Sequence, residues 1–328
     1  MKSLSRRLLL AAVVTALPVL PFSAQAQNYP DKPVKLVVGF AAGGPTDILA
    51  RIFATAFGKA LGTSVIVDNK GGGGGAIGAQ AVARSDPDGY TLMFAGDGQL
   101  ALLPQMMTKA GYETKRDFVP IGSVAGQSNV LIANKASGIT DLPSLLAQAK
   151  ANPGRISFGS AGNGTPTHLV AALFENATGV KLLHVPYRGA GPAMADLLGG
   201  QTNLMFVGTP VALQQASRPQ MAVIAITGNK RSPSLPQVPT FAEAGIRGMG
   251  DETAVWWAVV APAQVPQAIQ AKLVQAMKTA MADPELRAAI AAQGADVLDK
   301  DGATVANWIA RDHTRWAGLI KSKKITTE

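Results

Sequence analysis

The chain has 328 residues, which at about 150 residues per domain is enough for roughly two domains with cores of their own. Its 47% apolar and 16% charged content excludes a disordered chain, and 35 glycines and 21 prolines call for many tight loops between regular elements. The absence of cysteine excludes disulfides, thiolate metal sites, a cysteine nucleophile and a lipidated N-terminal cysteine.

Lys2, Arg6 and Arg7 precede an apolar stretch over residues 8–22 that ends near the small-x-small triplet Ala24-Gln25-Ala26. That order predicts a secretory signal peptide over residues 1–26, cleaved after Ala26, and hence a periplasmic protein. The stretch is too short for a membrane span and is interrupted by Pro18 and Pro21. Ser5-Arg6-Arg7-Leu8-Leu9-Leu10 also resembles a twin-arginine signal, so both export routes stay open. Cleavage removes three basic and no acidic residues, leaving 27 against 21, or +6. Aromatics are 5% of residues and are not interleaved with a basic run, so no nucleic-acid partner is expected. A mild positive field suits small anions instead.

Residues 34–40 are a β-branched run, followed by Ala41-Ala42-Gly43-Gly44-Pro45-Thr46-Asp47 and a helical pattern over 48–61. Strand, glycine loop and helix then recur: strand 65–67, glycines 71–75, helix 77–84, and strand 91–95 after the turn Asp86-Pro87-Asp88-Gly89. Further strands are predicted at 130–133, 156–158, 182–185, 204–207 and 222–226, with helices at 142–151, 168–177 and 192–198 between them. The last third holds one strand, 254–260, and then helices at 267–281, 284–293 and 304–320. Such alternation predicts an α/β protein with two parallel or mixed sheets covered on both faces. The lone late strand suits a chain that returns to complete the first domain.

Two loops each follow a strand and open a helix: residues 43–47, and Gly159-Ser160-Ala161-Gly162-Asn163-Gly164-Thr165-Pro166-Thr167. Open α/β sheets bind ligands at such joins. Helix N-termini expose unpaired N–H groups, glycines admit an anion close to the backbone, and the hydroxyls add neutral donors. The competing reading is that the Thr and Asp side chains only cap the helices. Asp47 in particular is expected to cap its helix rather than touch a ligand, since it would repel an anion.

Catalytic and cofactor signals are weak by comparison. Gly73-x-Gly75-x-x-Gly78 matches a dinucleotide fingerprint, but it arises easily in a five-glycine run, and no cofactor is expected. His168, His184 and His313 have no metal-ligand spacing, so neither metal nor catalytic residue is assigned. Ser160 misses the GxSxG elbow by one residue, which leaves a Ser160–His168 hydrolase as an alternative from another class. Glu243 and the pair Asp251-Glu252 are too isolated for acid/base work, and Trp256-Trp257 reads as strand core.

The run Tyr29-Pro30-x-Lys32-Pro33-Val34, with Val37-Val38-Gly39-Phe40 and the loop through Arg51, resembles the opening of the Bug-type periplasmic binding proteins. These are the substrate-binding components of tripartite tricarboxylate transporters. The likeness continues through Pro87-Asp88-Gly89-Tyr90, the Ser160 loop with His168, Val185-Pro186-Tyr187-Arg188-Gly189, Arg231-Ser232-Pro233 and Trp256 to Pro262. It implies a two-domain Venus-flytrap fold with two crossing strands, a binding role without catalysis, and a small organic carboxylate held in the cleft. By motif match it places Gly43, Gly44, Thr46, Ser160, Gly164, Thr165 and Thr167 at the carboxylate end, with Asp97, Gly98, Tyr187 and Gly208 in the walls. Asp97 stands where relatives often carry a small hydroxyl residue. A buried acid there disfavours a second carboxylate unless it is protonated or paired, and favours a ligand with an amino, hydroxyl or ring-nitrogen group. The expected division is 27–126 plus 252–328 for one domain and 127–251 for the other. The expected partner is a membrane transporter met transiently by a monomer. A ligand-presenting sensor is the other binding role that the same cleft would serve.

Overall fold

The computed structural model describes residues 29–107, 110–187, 189–250, 254–323 and 325. The expected signal peptide with its expected cleavage point, Arg188 and Asp251-Glu252 lie outside these residues.

Two mixed sheets organise the chain. The first takes β1 (Val34–Val38), β2 (Val65–Asn69), β3 (Thr91–Gly96), β4 (Phe118–Gln127), β10 (Val255–Pro262) and β11 (Asp296–Val297), in the order β11-β4-β10-β3-β1-β2. The second takes β5 (Asn129–Asn134), β6 (Ser157–Ser160), β7 (Leu183–Pro186), β8 (Leu204–Gly208) and β9 (Met221–Ile226), in the order β7-β6-β8-β5-β9. β4 runs into β5 through Ser128 alone, so one extended segment crosses from sheet to sheet. The late strand β10 returns to the first sheet and inserts antiparallel between β3 and β4, as its isolation in the sequence predicts.

Helices cover both sheets: α1 (Pro45–Leu61), α2 (Ala76–Ala83), α3 (Leu103–Met106), α4 (Thr114–Asp117), α5 (Leu142–Ala151), α6 (Pro166–Thr178), α7 (Ala190–Leu198), α8 (Thr209–Ala216), α9 (Gln267–Met281), α10 (Pro284–Ala292) and α11 (Gly302–Lys323). The two-residue period of β1 divides its side chains between faces. Leu36 and Val38 pack with Phe53 and Phe57 of α1 and Leu273 of α9, whereas Val37 joins Ala79 of α2 and Ile309 of α11. In the second sheet, Leu131 and Ala133 face α5 and α6, while Val130 and Ile132 face α7 and α8. The C-terminal helix also links the two halves: Trp316 and Leu319 share a core with Leu169 and Ala172 of α6. Lys323 pairs with Glu175 at 2.9 Å across the same junction.

Several elements depart from the sequence expectation: the short helices α3 and α4 are unforeseen, and the last third holds a second strand, β11, a two-residue piece that pairs with β4 and is too short to leave a period in the sequence. β4 is a ten-residue strand that Pro120, Gly122 and Gly126 disguise. Pro120 is tolerated because it pairs with Val260 beside a register shift, where a ladder N–H is not required. α8 follows β8 with no intervening turn residues and opens on Thr209-Pro210, so its start carries no loop signal. α1 begins at Pro45, three residues before its apolar period, because proline's fixed φ suits the first helical position.

The loop after β1 depends on a close approach of backbones. A Cβ on Gly78 of α2 would stand 2.8 Å from the Cα of Gly39, which no real Cβ tolerates, and the neighbour is main chain that cannot swing aside. Gly78→Ala is therefore expected to lower unfolding stability by about 1–3 kcal/mol through overpacking, read as a lower urea midpoint at unchanged slope.

Candidate functional site

The loop after β1 leads into α1 through Gly44 as N-cap and Pro45 in the first turn, and no side chain caps the helix. Gly43 sits at φ +86°, the left-handed region that glycine enters freely. Asp47 does not cap α1, contrary to the sequence expectation: the helix starts at Pro45, which puts Asp47 in its first turn, and from there Asp47 folds this loop from inside. Its Oδ2 accepts the Gly43 N–H at 2.8 Å and the Arg51 Nε–H at 3.0 Å, while Oδ1 accepts from Asn69 Nδ2 at 2.9 Å. The Arg51 hydrogen bond, helped by those from Gly43 and Asn69, holds the Asp47 carboxyl down at about 2. The charge of Asp47 is thus spent on the loop, and Arg51 is spent on Asp47 and Asn69.

Thr46 is buried and its Oγ1 accepts the Trp257 indole N–H at 3.1 Å. Because an indole nitrogen only donates, the Thr46 hydroxyl keeps its own proton for another acceptor. Trp257 lies opposite Gly96 in the ladder, so β10 joins the Thr46 turn to the end of β3.

The loop after β6 has the same plan. α6 opens with Thr165 as N-cap and Pro166 in the first turn, again without a side-chain cap, whereas α5 and α10 are capped by Asp141 and Asp283. Within the loop, Thr165 Oγ1 donates to the Gly162 carbonyl at 2.7 Å, which commits its proton. Thr167 Oγ1 accepts the Ala161 N–H at 3.1 Å and lies 3.1 Å from Thr165 Oγ1. The Thr167 proton can therefore turn either to Thr165 or to an arriving anion. Ser160 is fully buried, with Oγ 2.6 Å from His184 Nε2 and 3.2 Å from both the N and the O of Gly162. Gly164, at φ +71°, donates its N–H to His168 Nδ1 at 3.1 Å. The Ser160–His168 pairing of the hydrolase alternative is thus overturned: the serine's partner is His184, and His168 holds the loop backbone.

The walls are set by Asp97, Gly98, Tyr187 and Gly208. Asp97 follows directly on β3 and is only 8% exposed. Burial, reinforced by the charge of Asp312, pushes its carboxyl up to about 7. Asp312 itself accepts from Trp256 Nε1 and Arg311 Nε, each at 2.8 Å. Gly98 opens onto space, with no atom within 4 Å of where a Cβ would stand. Tyr187 donates its hydroxyl to Asp196 at 2.6 Å, a bond that pushes the phenol up to about 12 and fixes the ring. Gly208 makes room for Gln127, whose Oε1 lies 2.5 Å from the position of a Gly208 Cβ. One group, Gly43 to Thr46 with Asp97 and Gly98, belongs to the first sheet. The other, Ser160 to Thr167 with Tyr187, belongs to the second, and Gly208 sits against the crossing segment.

Three side-chain contacts have no signal in the sequence. Trp257 is core, as expected, and its N–H in addition serves Thr46. Gln99 donates nothing through its buried Nε2, which wedges between Gly39 and Gly75, while its Oε1 accepts the Gly96 N–H at 2.8 Å. His184 had no motif to mark it.

The sequence model of the tripartite tricarboxylate transporter family receptors matches residues 49–325. The chain belongs to that family. It is 33% identical to protein BugT of Bordetella pertussis over 97% of this chain and 98% of that one. Among solved structures it resembles the periplasmic binding protein BugD, at 36% identity and TM-score 0.77 over 92% of this chain and all of that one. It also resembles an R. palustris protein solved with adipate, at 30% identity and TM-score 0.79 over 91% and 99% of the two chains. MatC from Rhodopseudomonas palustris, with bound malate, is 28% identical at TM-score 0.77 over 89% and 100%. Family members are receptors, and this chain is a two-domain α/β binding protein rather than an enzyme.

The acid range tests the Asp47 clamp. A carboxyl lowered on folding stabilises fully above its unfolded value near 3.8 and loses that contribution as pH falls through about 2. Asp47→Asn is expected to remove that component of the acid unfolding curve and to weaken the loop at neutral pH by about 1.5–3 kcal/mol, the worth of hydrogen bonds to a charged group. Thermal melts from pH 2 to 7 read both effects.

Proposed function

We propose that this protein is a periplasmic receptor that closes its two domains on a small organic carboxylate and delivers it to the membrane part of a tripartite tricarboxylate transporter. The observation that carries this reading is the matched pair of uncapped helix starts, Gly44-Pro45-Thr46 and Thr165-Pro166-Thr167, one from each sheet. Each leaves first-turn N–H groups open and adds a threonine hydroxyl able to donate. The solved relatives with adipate and malate support the ligand class.

The ligand carboxylate would lie between Gly43, Gly44 and Thr46 on one side and Gly164 and Thr167 on the other. Ser160 and Thr165 would shape the second loop from within. Closure follows from differential affinity: only the closed arrangement offers both sets of donors, so ligand shifts the population toward it. Asp97, in the wall near neutrality, would read the far end of the ligand. Protonated, it donates to an oxygen; ionised, it favours an amino or hydroxyl group over a second carboxylate. Domain limits at 126/127 and 251/252, export with cleavage after Ala26, and a monomeric receptor complete the proposal. No helix among the described residues is long and apolar enough to cross a membrane.

Ligand-stripped protein should show a thermal shift with some members of a panel of mono- and dicarboxylates, hydroxy acids and amino acids, since ligand at about 100 times Kd adds roughly 2.7 kcal/mol. Thr46→Val and Thr167→Val should each weaken the best ligand roughly 10- to 100-fold by calorimetry, the worth of a hydrogen bond to a charged group. Unchanged affinity in both would overturn the proposed carboxylate end. Asp97→Asn should raise the affinity ratio of dicarboxylates to amino or hydroxy monocarboxylates at pH 8, where the native acid is mostly ionised; an unchanged ratio removes Asp97 from specificity.

A further inference from the structure

Behind the second loop lies a stack of three rings that the carboxylate reading does not use. His184 on β7 lies nearly parallel to both Phe158 on β6, at 4.8 Å and 14°, and His168 on α6, at 3.9 Å and 15° between centroids and planes, while Phe158 and His168 are 6.4 Å apart. Each imidazole grips one end of the loop. His184 Nε2 is 2.6 Å from Ser160 Oγ, where the loop leaves its strand. His168 Nδ1 accepts the Gly164 N–H at 3.1 Å, just before the loop enters α6.

We propose that His168 and His184 are positioning residues whose neutral rings assemble the anion loop, so that acid dismantles the carboxylate end of the site. The chemistry of His168 is unambiguous. A main-chain N–H only donates, so Nδ1 must hold a lone pair and the neutral ring must carry its proton on Nε2. Protonation turns Nδ1 into a donor facing a donor, and the Gly164 bond is lost. At His184, neutral Nε2 either accepts the Ser160 hydroxyl proton or donates to its oxygen. A cation removes the first option, and two stacked imidazolium rings would repel each other.

The surrounding charges do not rescue the cation. From α6, Glu175 faces His184, but its Oε1 accepts the Leu182 N–H at 2.8 Å and its Oε2 is paired with Lys323. Lys323, from α11, acts on His168 with the opposite sign to a stabilising acid. From α7, Asp196 is engaged by Tyr187. Burial, followed by the neighbouring His184, pushes His168 down to about 4, and burial lowers His184 as well. The sign follows: unfolded imidazoles protonate near 6.5 while the folded pair resists, so loop integrity is complete above about 6.5 and is lost as pH falls toward 4.

The proposal rests on the receptor reading only for its ligand arm, so two measurements are made. In the first, no ligand is added: imidazole and amide nitrogen resonances are followed from pH 8 to 4, the third histidine being assigned through His313→Gln. The expected result is the Nε2–H tautomer at His168, with the Gly162 and Gly164 amides shifting at the midpoints of the two rings. An Nδ1–H tautomer, or loop amides indifferent to both titrations, overturns the proposal. In the second, affinities for malate and adipate are measured at pH 7.5 and pH 4, each protein being referenced to its own pH 7.5 value. His168→Asn with His184→Gln places non-titrating amides at the Nδ1 and Nε2 positions. Native protein should lose roughly fivefold more affinity than the double variant, because the binding-competent fraction falls only in the native protein; the ligand's own protonation is common to both. Equal losses overturn the proposal. Failure of both probes at pH 7.5 counts against the receptor reading for these acids and leaves the loop clamp to be decided by the nitrogen resonances.

Discussion

An unpaired N–H at the start of a helix is a donor that the helix itself cannot satisfy, and α1 and α6, on two different sheets, both open from a strand-to-helix loop without a side-chain cap. Most of the site's architecture serves that arrangement. Asp47 turns inward to tie Gly43, which keeps the first turn open while cancelling its own charge on Arg51. Trp257 reaches from the returning strand to orient Thr46, and Gln99 fills the gap that Gly39 and Gly75 leave behind the loop. On the other sheet, Thr165, Ser160 and the two stacked imidazoles fold the second loop without closing off its helix.

In the proposed site the two loops would attract an anion with dipoles and hydroxyls. The guanidinium beside the first loop, Arg51, is already engaged by Asp47 and Asn69. An arginine fork would bind a carboxylate strongly in one domain alone and make release slow. Under the proposed reading, neutral donors divided between two domains would give each half a weak hold, so that affinity would appear when the halves meet and disappear when they part. That property suits capture and handover. The junction of α6 with α11, including the Glu175–Lys323 pair, is a second contact between the two halves.

Much of this was legible in the sequence where the signal is local. Helices α5 and α9 occupy the same residues that their apolar period and flanking residues predict. The two glycine-rich strand-to-helix joins are also local events, so Gly43, Thr46 and the residues 160–167 could be singled out without a structure. What was illegible depends on distant partners. β4 is a strand only because β10 and β11 pair with it, and its Pro120 and glycines carry the opposite local preference. Trp257 and Thr46 are 211 positions apart, and Ser160 and His184 are 24 apart on different strands. No spacing rule connects them. Asp97 shows the same limit in its charge: the sequence marks an acid, but only Asp312 on α11 and the surrounding burial reveal a carboxyl held near neutrality.

The central claim is that one anion is held by the first turns of α1 and α6 together. Backbone amide resonances of the ligand-stripped protein, followed as the best-binding carboxylate is added, test it most directly. The account predicts that the Thr46, Asp47, Thr167 and His168 amides move together downfield and saturate at a single dissociation constant. Saturable binding that leaves either helix start unmoved would contradict it.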